Sequence, residues 1–169
     1  MAGFHTKTFT KHDDYMTPKS AWENIIDYIP KDKVIWEAFY GDGESGNHLT
    51  ELGFNVIHED KDFFKWTPEN YGAIVSNPPF QFKKEVLTRL KELDKPFILI
   101  MPCSTLTTQY FRKLFADSHH KIQIIIPKKR IQFIKLVNGK KQEKMKNACN
   151  FDCFYYFYKM NLKKDLIFI

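Results

Sequence analysis

Apolar positions along the chain fall into short blocks of two kinds. Residues 34–39, 54–58, 71–76, 97–101 and 122–126 are continuous runs rich in β-branched and aromatic side chains. Such runs have the length and composition of strands buried on both faces. The second kind is periodic. Residues 20–29 set Trp22, Ile25, Ile26 and Ile29 on one helical face, and 47–52, 81–93 and 105–116 also read as helices. Runs alternating with periodic segments predict an α/β domain with a mostly parallel sheet and helices on both faces. Residues 130–136 alternate and read as a strand, Asn138-Gly139 marks a turn, and the aromatic run 151–158 is expected to be the last strand, antiparallel to the rest. The stretch between 58 and 71 is too short for the usual connecting helix. Residues 1–12 are polar and aperiodic and predict a loose arm, followed by a single domain over 13–169.

Composition narrows the setting. The 169 residues are 43% hydrophobic, enough for one domain with a real core. No apolar run is long enough to span a bilayer and no signal peptide is evident, so an intracellular protein without a membrane partner is expected. The cysteines then read as reduced thiols. Cys149 and Cys153 lack a second ligand pair, and no metal is expected. The formal charge of +6 favours a polyanionic partner. Positive charge concentrates at Lys128, Lys129 and Arg130 and again at Lys140, Lys141, Lys144 and Lys146. These groups flank an aromatic-rich segment, as phosphate contacts on a nucleic acid would.

Two turns carry candidate chemistry. Asn77-Pro78-Pro79-Phe80 follows the run at 71–76 and precedes the helix at 81–93. Paired prolines end the ladder and stiffen the backbone at the carboxyl edge of the sheet, where ligands bind in open α/β folds. Asn77 Oδ1 and the Pro78 carbonyl could accept from the two N–H bonds of an exocyclic amine while Phe80 stacks on its plane. Such a nitrogen has a delocalised lone pair, and holding it pyramidal frees the pair for methyl transfer. The second turn, Tyr40-Gly41-Asp42-Gly43-Glu44-Ser45-Gly46, follows a strand carrying Glu37. It lacks the Gly-Lys-Ser/Thr ending of a phosphate loop, and its acids suit an ammonium group better than a pyrophosphate. Glu59, about twenty residues beyond the glycine turn, could take both hydroxyls of a ribose. Asp62 with Phe63 could grip an adenine ring.

Taken in order, Tyr-x-Thr-Pro, Glu-x-Phe-Tyr-Gly-Asp-Gly, an acidic strand end and Asn-Pro-Pro-Phe resemble the S-adenosylmethionine-dependent amino-methyltransferases. Lys-Pro-Phe at 95–97 and Arg-Ile-x-Phe at 130–133 make the chain most similar to small phage- and large-virus-type DNA N6-adenine methyltransferases. The resemblance implies a Rossmann-like class I methyltransferase fold and S-adenosylmethionine as cofactor. It implies methionine contacts from Tyr15 and Thr17, and a cofactor turn of Glu37, Phe39, Gly41 and Gly43. Glu59 would bind the ribose, with Asp60 competing for that role, and Asp62 and Phe63 the adenine. Asn77, Pro78, Pro79 and Phe80 would be catalytic. The implied target is adenine in DNA, with RNA adenine, cytosine N4 and a catalytically silent nucleic-acid-binding module as alternatives. No separate target-recognition domain is present, so a partner subunit supplying specificity fits the pattern.

Overall fold

The computed structural model describes residues 15–137, 140–141 and 151–169. The arm at 1–12, the Asn138-Gly139 turn, Cys149, Lys144 and Lys146 lie outside that set. Along the described chain run β1 (Tyr15–Met16), α1 (Lys19–Glu23), β2 (Ile35–Trp36), α2 (Glu44–Glu51), β3 (Val56–Ile57) and β4 (Ala73–Ser76). There follow α3 (Lys83–Leu93), β5 (Phe97–Pro102), α4 (Gln109–Phe115), β6 (Ile122–Ile126), β7 (Ile134–Val137), β8 (Lys140–Lys141), β9 (Cys153–Tyr158) and β10 (Leu166–Phe168).

Seven strands form one sheet in the order β10-β6-β9-β5-β4-β2-β3. All neighbours are parallel except those of β9, which runs antiparallel between β5 and β6. Strand side chains point alternately to the two faces, and each face has its own core. Ile98, Ile100, Ala73, Val75, Tyr155 and Phe157 pack with Trp22 of α1 and Leu49 of α2. Phe97, Leu99, Met101, Ile74, Tyr156 and Tyr158 pack with Leu87 and Leu90 of α3 and with Phe111 and Phe115 of α4. The mostly parallel α/β sheet with helices on both faces is therefore as the pattern predicts, and no helix joins β3 to β4. Cys153 is buried in the first core and Cys103 is half-buried.

Several elements depart from expectation. The antiparallel aromatic strand is interior and not last: β10 follows it and pairs parallel with β6. Residues 134–137 do form a strand, but in a second, three-stranded sheet of order β1-β7-β8, where Tyr15 pairs with Lys135 and Met16 with Ile134. The helix expected at 105–116 is interrupted. A 3-10 turn spans Cys103–Thr107, the backbone extends at Thr108, and the Thr108 hydroxyl accepts from the Phe111 N–H to cap a new helix. The first helix is likewise shorter than 20–29, giving way to a 3-10 turn at Ile26–Tyr28. α2 begins earlier than residue 47, because Gly43, at φ +83°, turns the chain and Asp42 Oδ1 accepts from the Glu44 N–H at 3.1 Å.

No helix of the described residues is long and apolar enough to cross a membrane.

Candidate active site

β2 and β4 are hydrogen-bonded neighbours, Ile35 opposite Ala73 and Trp36 opposite Ile74, so the segments leaving them emerge side by side. One carries Glu37, Phe39 and the glycine turn; the other carries Ser76 and Asn77-Pro78-Pro79-Phe80. β1 closes the third side. The cleft between them is lined by Tyr15, Met16 and Thr17 from β1 and its exit, by Glu37 to Asp42 except Ala38, by Ser45, and by residues 77–80. Two turns and an N-terminal segment far apart in sequence thus share one cavity.

The two main turns are bonded to each other. Ser76 is wholly buried, and its hydroxyl donates to Glu37 Oε1 while accepting the Phe39 N–H at 3.3 Å. Burial pushes the Glu37 carboxyl up to about 8, the Asp42 charge adding to the effect and the Ser76 bond opposing it. Three buried oxygens around this cleft have no hydrogen-bond partner: Glu37 Oε2, Asp42 Oδ2 and Asn77 Oδ1. Asp42 Oδ2 and Asn77 Oδ1 are acceptors, as Glu37 Oε2 is once ionised, and no lysine, arginine or histidine among the described residues lines the cavity. A buried acceptor without a donor costs about 1–3 kcal/mol, so the arrangement favours a ligand bringing N–H groups or positive charge. It disfavours a phosphate.

Beyond Pro79 the chain enters a 3-10 turn at Phe80–Phe82, and Lys83 Nζ donates to the Phe80 carbonyl at 2.6 Å. The Phe80 ring meets Phe151 at 5.3 Å and Phe133 at 6.0 Å between centroids, both nearly perpendicular. Tyr15 meets the same two rings at 6.0 and 6.3 Å. The three-stranded sheet therefore abuts the Asn-Pro-Pro-Phe turn and walls it with aromatics.

Of the residues singled out from sequence, Tyr15, Thr17, Glu37, Phe39, Gly41, Asn77, Pro78, Pro79 and Phe80 come together here. Gly43 starts α2 just behind. Glu59 is exposed at the end of β3, as is Asp60, and neither lines the cleft. Phe63 and Asp62 depart from the adenine-gripping arrangement. Phe63 is wholly buried against Phe39 and Trp36, with the Arg89 guanidinium 5.5 Å from its ring centre. Asp62 accepts from the Phe64 N–H at 2.9 Å and closes its own turn. Among the basic residues, Lys128, Lys129 and Lys140 are exposed. Arg130 is exposed too and makes a two-pronged pair with Asp152, at 2.8 and 3.1 Å. Only the backbone of Lys141 is described, in β8. Sequence reasoning passed over Ser76, Ser45, Met16, Phe133 and Phe151. The apolar alternation that buries Ile131 and Phe133 was visible, but not which sheet it would join.

The sequence matches no protein-family model and no curated protein. Solved structures do share its fold. A Pyrococcus horikoshii protein proposed to be an RNA methyltransferase is 13% identical, with 94% of this chain and 91% of that one covered at a TM-score of 0.51. A Thermoplasma acidophilum protein proposed to be a methyltransferase is 13% identical, with coverage of 91% and 69% and a TM-score of 0.45. A Thermotoga maritima S-adenosylmethionine-dependent O-methyltransferase is also 13% identical, with coverage of 86% and 66% and a TM-score of 0.42. At such identity the likeness to the Pyrococcus structure is one of architecture, and the chain has the Rossmann-like α/β fold found in methyltransferases.

Proposed function

We propose that the chain is an S-adenosylmethionine-dependent methyltransferase acting on an exocyclic amino group, with adenine N6 in DNA as its target. The observation that carries the reading is Asn77 Oδ1, buried without a hydrogen-bond partner in a cleft that also holds Phe80. Glu37 Oε2 and Asp42 Oδ2 fit the ammonium end of the cofactor, and the hydroxyls of Tyr15 and Thr17 are donors for its carboxylate. Glu59 or Asp60, beyond β3, would take the ribose hydroxyls. Bound S-adenosylmethionine would supply an electrophilic methyl group.

The protein's own part is mainly positioning. Asn77 Oδ1 and the Pro78 carbonyl accept from the two N–H bonds of the target amine and turn its lone pair toward the methyl donor. Phe80, held against Phe133 and Phe151, offers the base a stacking surface worth about 1–3 kcal/mol. The methylated nitrogen is acidic enough to lose its proton to solvent, so no strong base is required. A base within a duplex must leave the stack to reach a cleft of this kind. Lys128, Lys129 and Lys140 would contact phosphates.

Incubation with labelled S-adenosylmethionine and, separately, single-stranded DNA, duplex DNA and tRNA tests the reading. Label recovered as N6-methyladenine from DNA is expected. Label confined to tRNA would move the target to RNA, and cofactor binding without transfer to any acceptor would indicate a silent module.

A further inference from the structure

Glu37 is an unusual group for a water-free position. A carboxyl shielded from solvent ordinarily gathers a cation or several donors. The donors at Glu37 are neutral: the Ser76 hydroxyl at Oε1 and, more weakly, the Phe39 amide. Oε2 has none. The titratable groups sharing its cleft are Asp42 on the glycine turn and the phenols of Tyr15 on β1 and Tyr40; no described cationic side chain lines it. Nothing at the site balances a negative charge, and Asp42 opposes one.

We propose that Glu37 stands in the free protein as a neutral acid and surrenders its proton when a ligand ammonium enters, with Ser76 as the positioning residue that leaves Oε2 as the acidic oxygen. The ligand's identity rests on the methyltransferase reading above. The bookkeeping is simple: the Oε2–H bond breaks, the proton leaves to solvent, and the electron pair stays on Oε2 to accept an ammonium N–H. No covalent bond to the ligand forms. Ser76 donates to Oε1, which therefore serves as the carbonyl oxygen of the acid, and it goes on donating to the carboxylate. Burial, which pushes this carboxyl up to about 8, acts in the same direction. The ammonium must then displace a proton near neutral pH, and affinity should rise about tenfold per pH unit until Glu37 ionises by itself.

Titration calorimetry with S-adenosylhomocysteine tests this at about pH 6.5, below the usual α-amino range of about 7.7–8.0. Running it in two buffers of different ionisation enthalpy yields the protons released per ligand bound. Nearly one is expected for the wild type. None is expected for 5′-methylthioadenosine, which lacks the ammonium, or for Glu37→Gln, which should bind more weakly. Ser76→Ala should carry proton release to higher pH; a merely structural Ser76 would change thermal stability and leave that pH window in place. S-adenosylhomocysteine binding with a buffer-independent heat in the wild type would overturn the proposal while leaving the methyltransferase reading intact. Binding of neither compound would remove that reading and this inference with it.

Discussion

The two ends of the central sheet make an instructive pair. Where β5 begins and β9 finishes, charged side chains crowd together and satisfy one another. Lys159 Nζ sits 2.6 Å from Asp94 Oδ2. Lys91 Nζ reaches the Tyr158 hydroxyl at 3.2 Å and the Ser118 hydroxyl, and lies 5.1–5.2 Å from the ring centres of Tyr158 and Phe115. The lysine also lies in the last turn of α3, where cations are favoured. At the other end, where β2 and β4 finish, fewer charges are present but three buried oxygens lack hydrogen-bond partners. Charge density is thus a poor guide to where this protein binds something. Unmet hydrogen-bonding capacity is a better one where it clusters on a cavity, as it does here; the unpartnered atoms of His48, His58 and Thr105 lie apart from that cleft.

The most severe way to break the contrast is Asn77→Ala. It removes the orphaned oxygen proposed to meet the target amine, and the loss should fall on kcat by about 100- to 1,000-fold while thermal stability holds. A variant methylating at the wild-type rate would take the catalytic role away from this turn. Glu37→Gln comes next, read as stability against pH. Burial raises the carboxyl from its ordinary value of 4.5 to about 8 in the fold. Between those limits the unfolded chain ionises and the folded one resists, so stability falls as pH rises, by at most about 1.4 kcal/mol per unit. The glutamine variant should show a flatter dependence over that range in thermal melts at a series of pH values.

A smaller effect is expected from replacing Lys128, Lys129 and Lys140 together with glutamine. Each lost phosphate contact should reduce the slope of log affinity against log salt by about 0.9 on duplex DNA. An unchanged slope would mean these lysines are merely solvated. The least effect belongs to Asp94→Ala at the far end of the sheet. That carboxyl is exposed and far from the cleft, so methyl transfer should match the wild type. The melting temperature should fall slightly, because Asp94 ends α3 at φ +52°, where alanine is disfavoured, and pairs with the largely covered Lys159. A loss of activity there would undo the contrast between the two ends.

The features legible in sequence were those fixed by neighbours along the chain. Residues 73–76 and 97–102 could only be strands, given their length and apolar content, and Pro78-Pro79 had to end the first of them. What escaped depended on partners remote in sequence. Leu166–Phe168 is a three-residue run whose strand character comes from lying beside β6. Nothing around Tyr15 signals that Lys135 will be its partner. Phe63 read as a ligand-stacking ring because its place beside Asp62 in sequence was visible and its burial under Arg89 was not. Arg130 reads from sequence as one of a basic run, and its pairing with Asp152, 22 residues on, is not visible there. Ser76 is a small polar residue at a strand end, and only the pairing of β2 with β4 gives its hydroxyl a role.

The interior position of β9 bears on how the chain assembles. β6 and β10 reach the remaining strands only across Cys153–Tyr158. Until that segment inserts, Phe97–Pro102 has an open, strongly apolar border, the kind of edge that recruits strands from other molecules. Insertion must also bridge a long separation in sequence, which slows the search. Refolding of this protein should accordingly show a late step tracked by tyrosine burial, with yields falling as concentration rises while β5 waits for its neighbour.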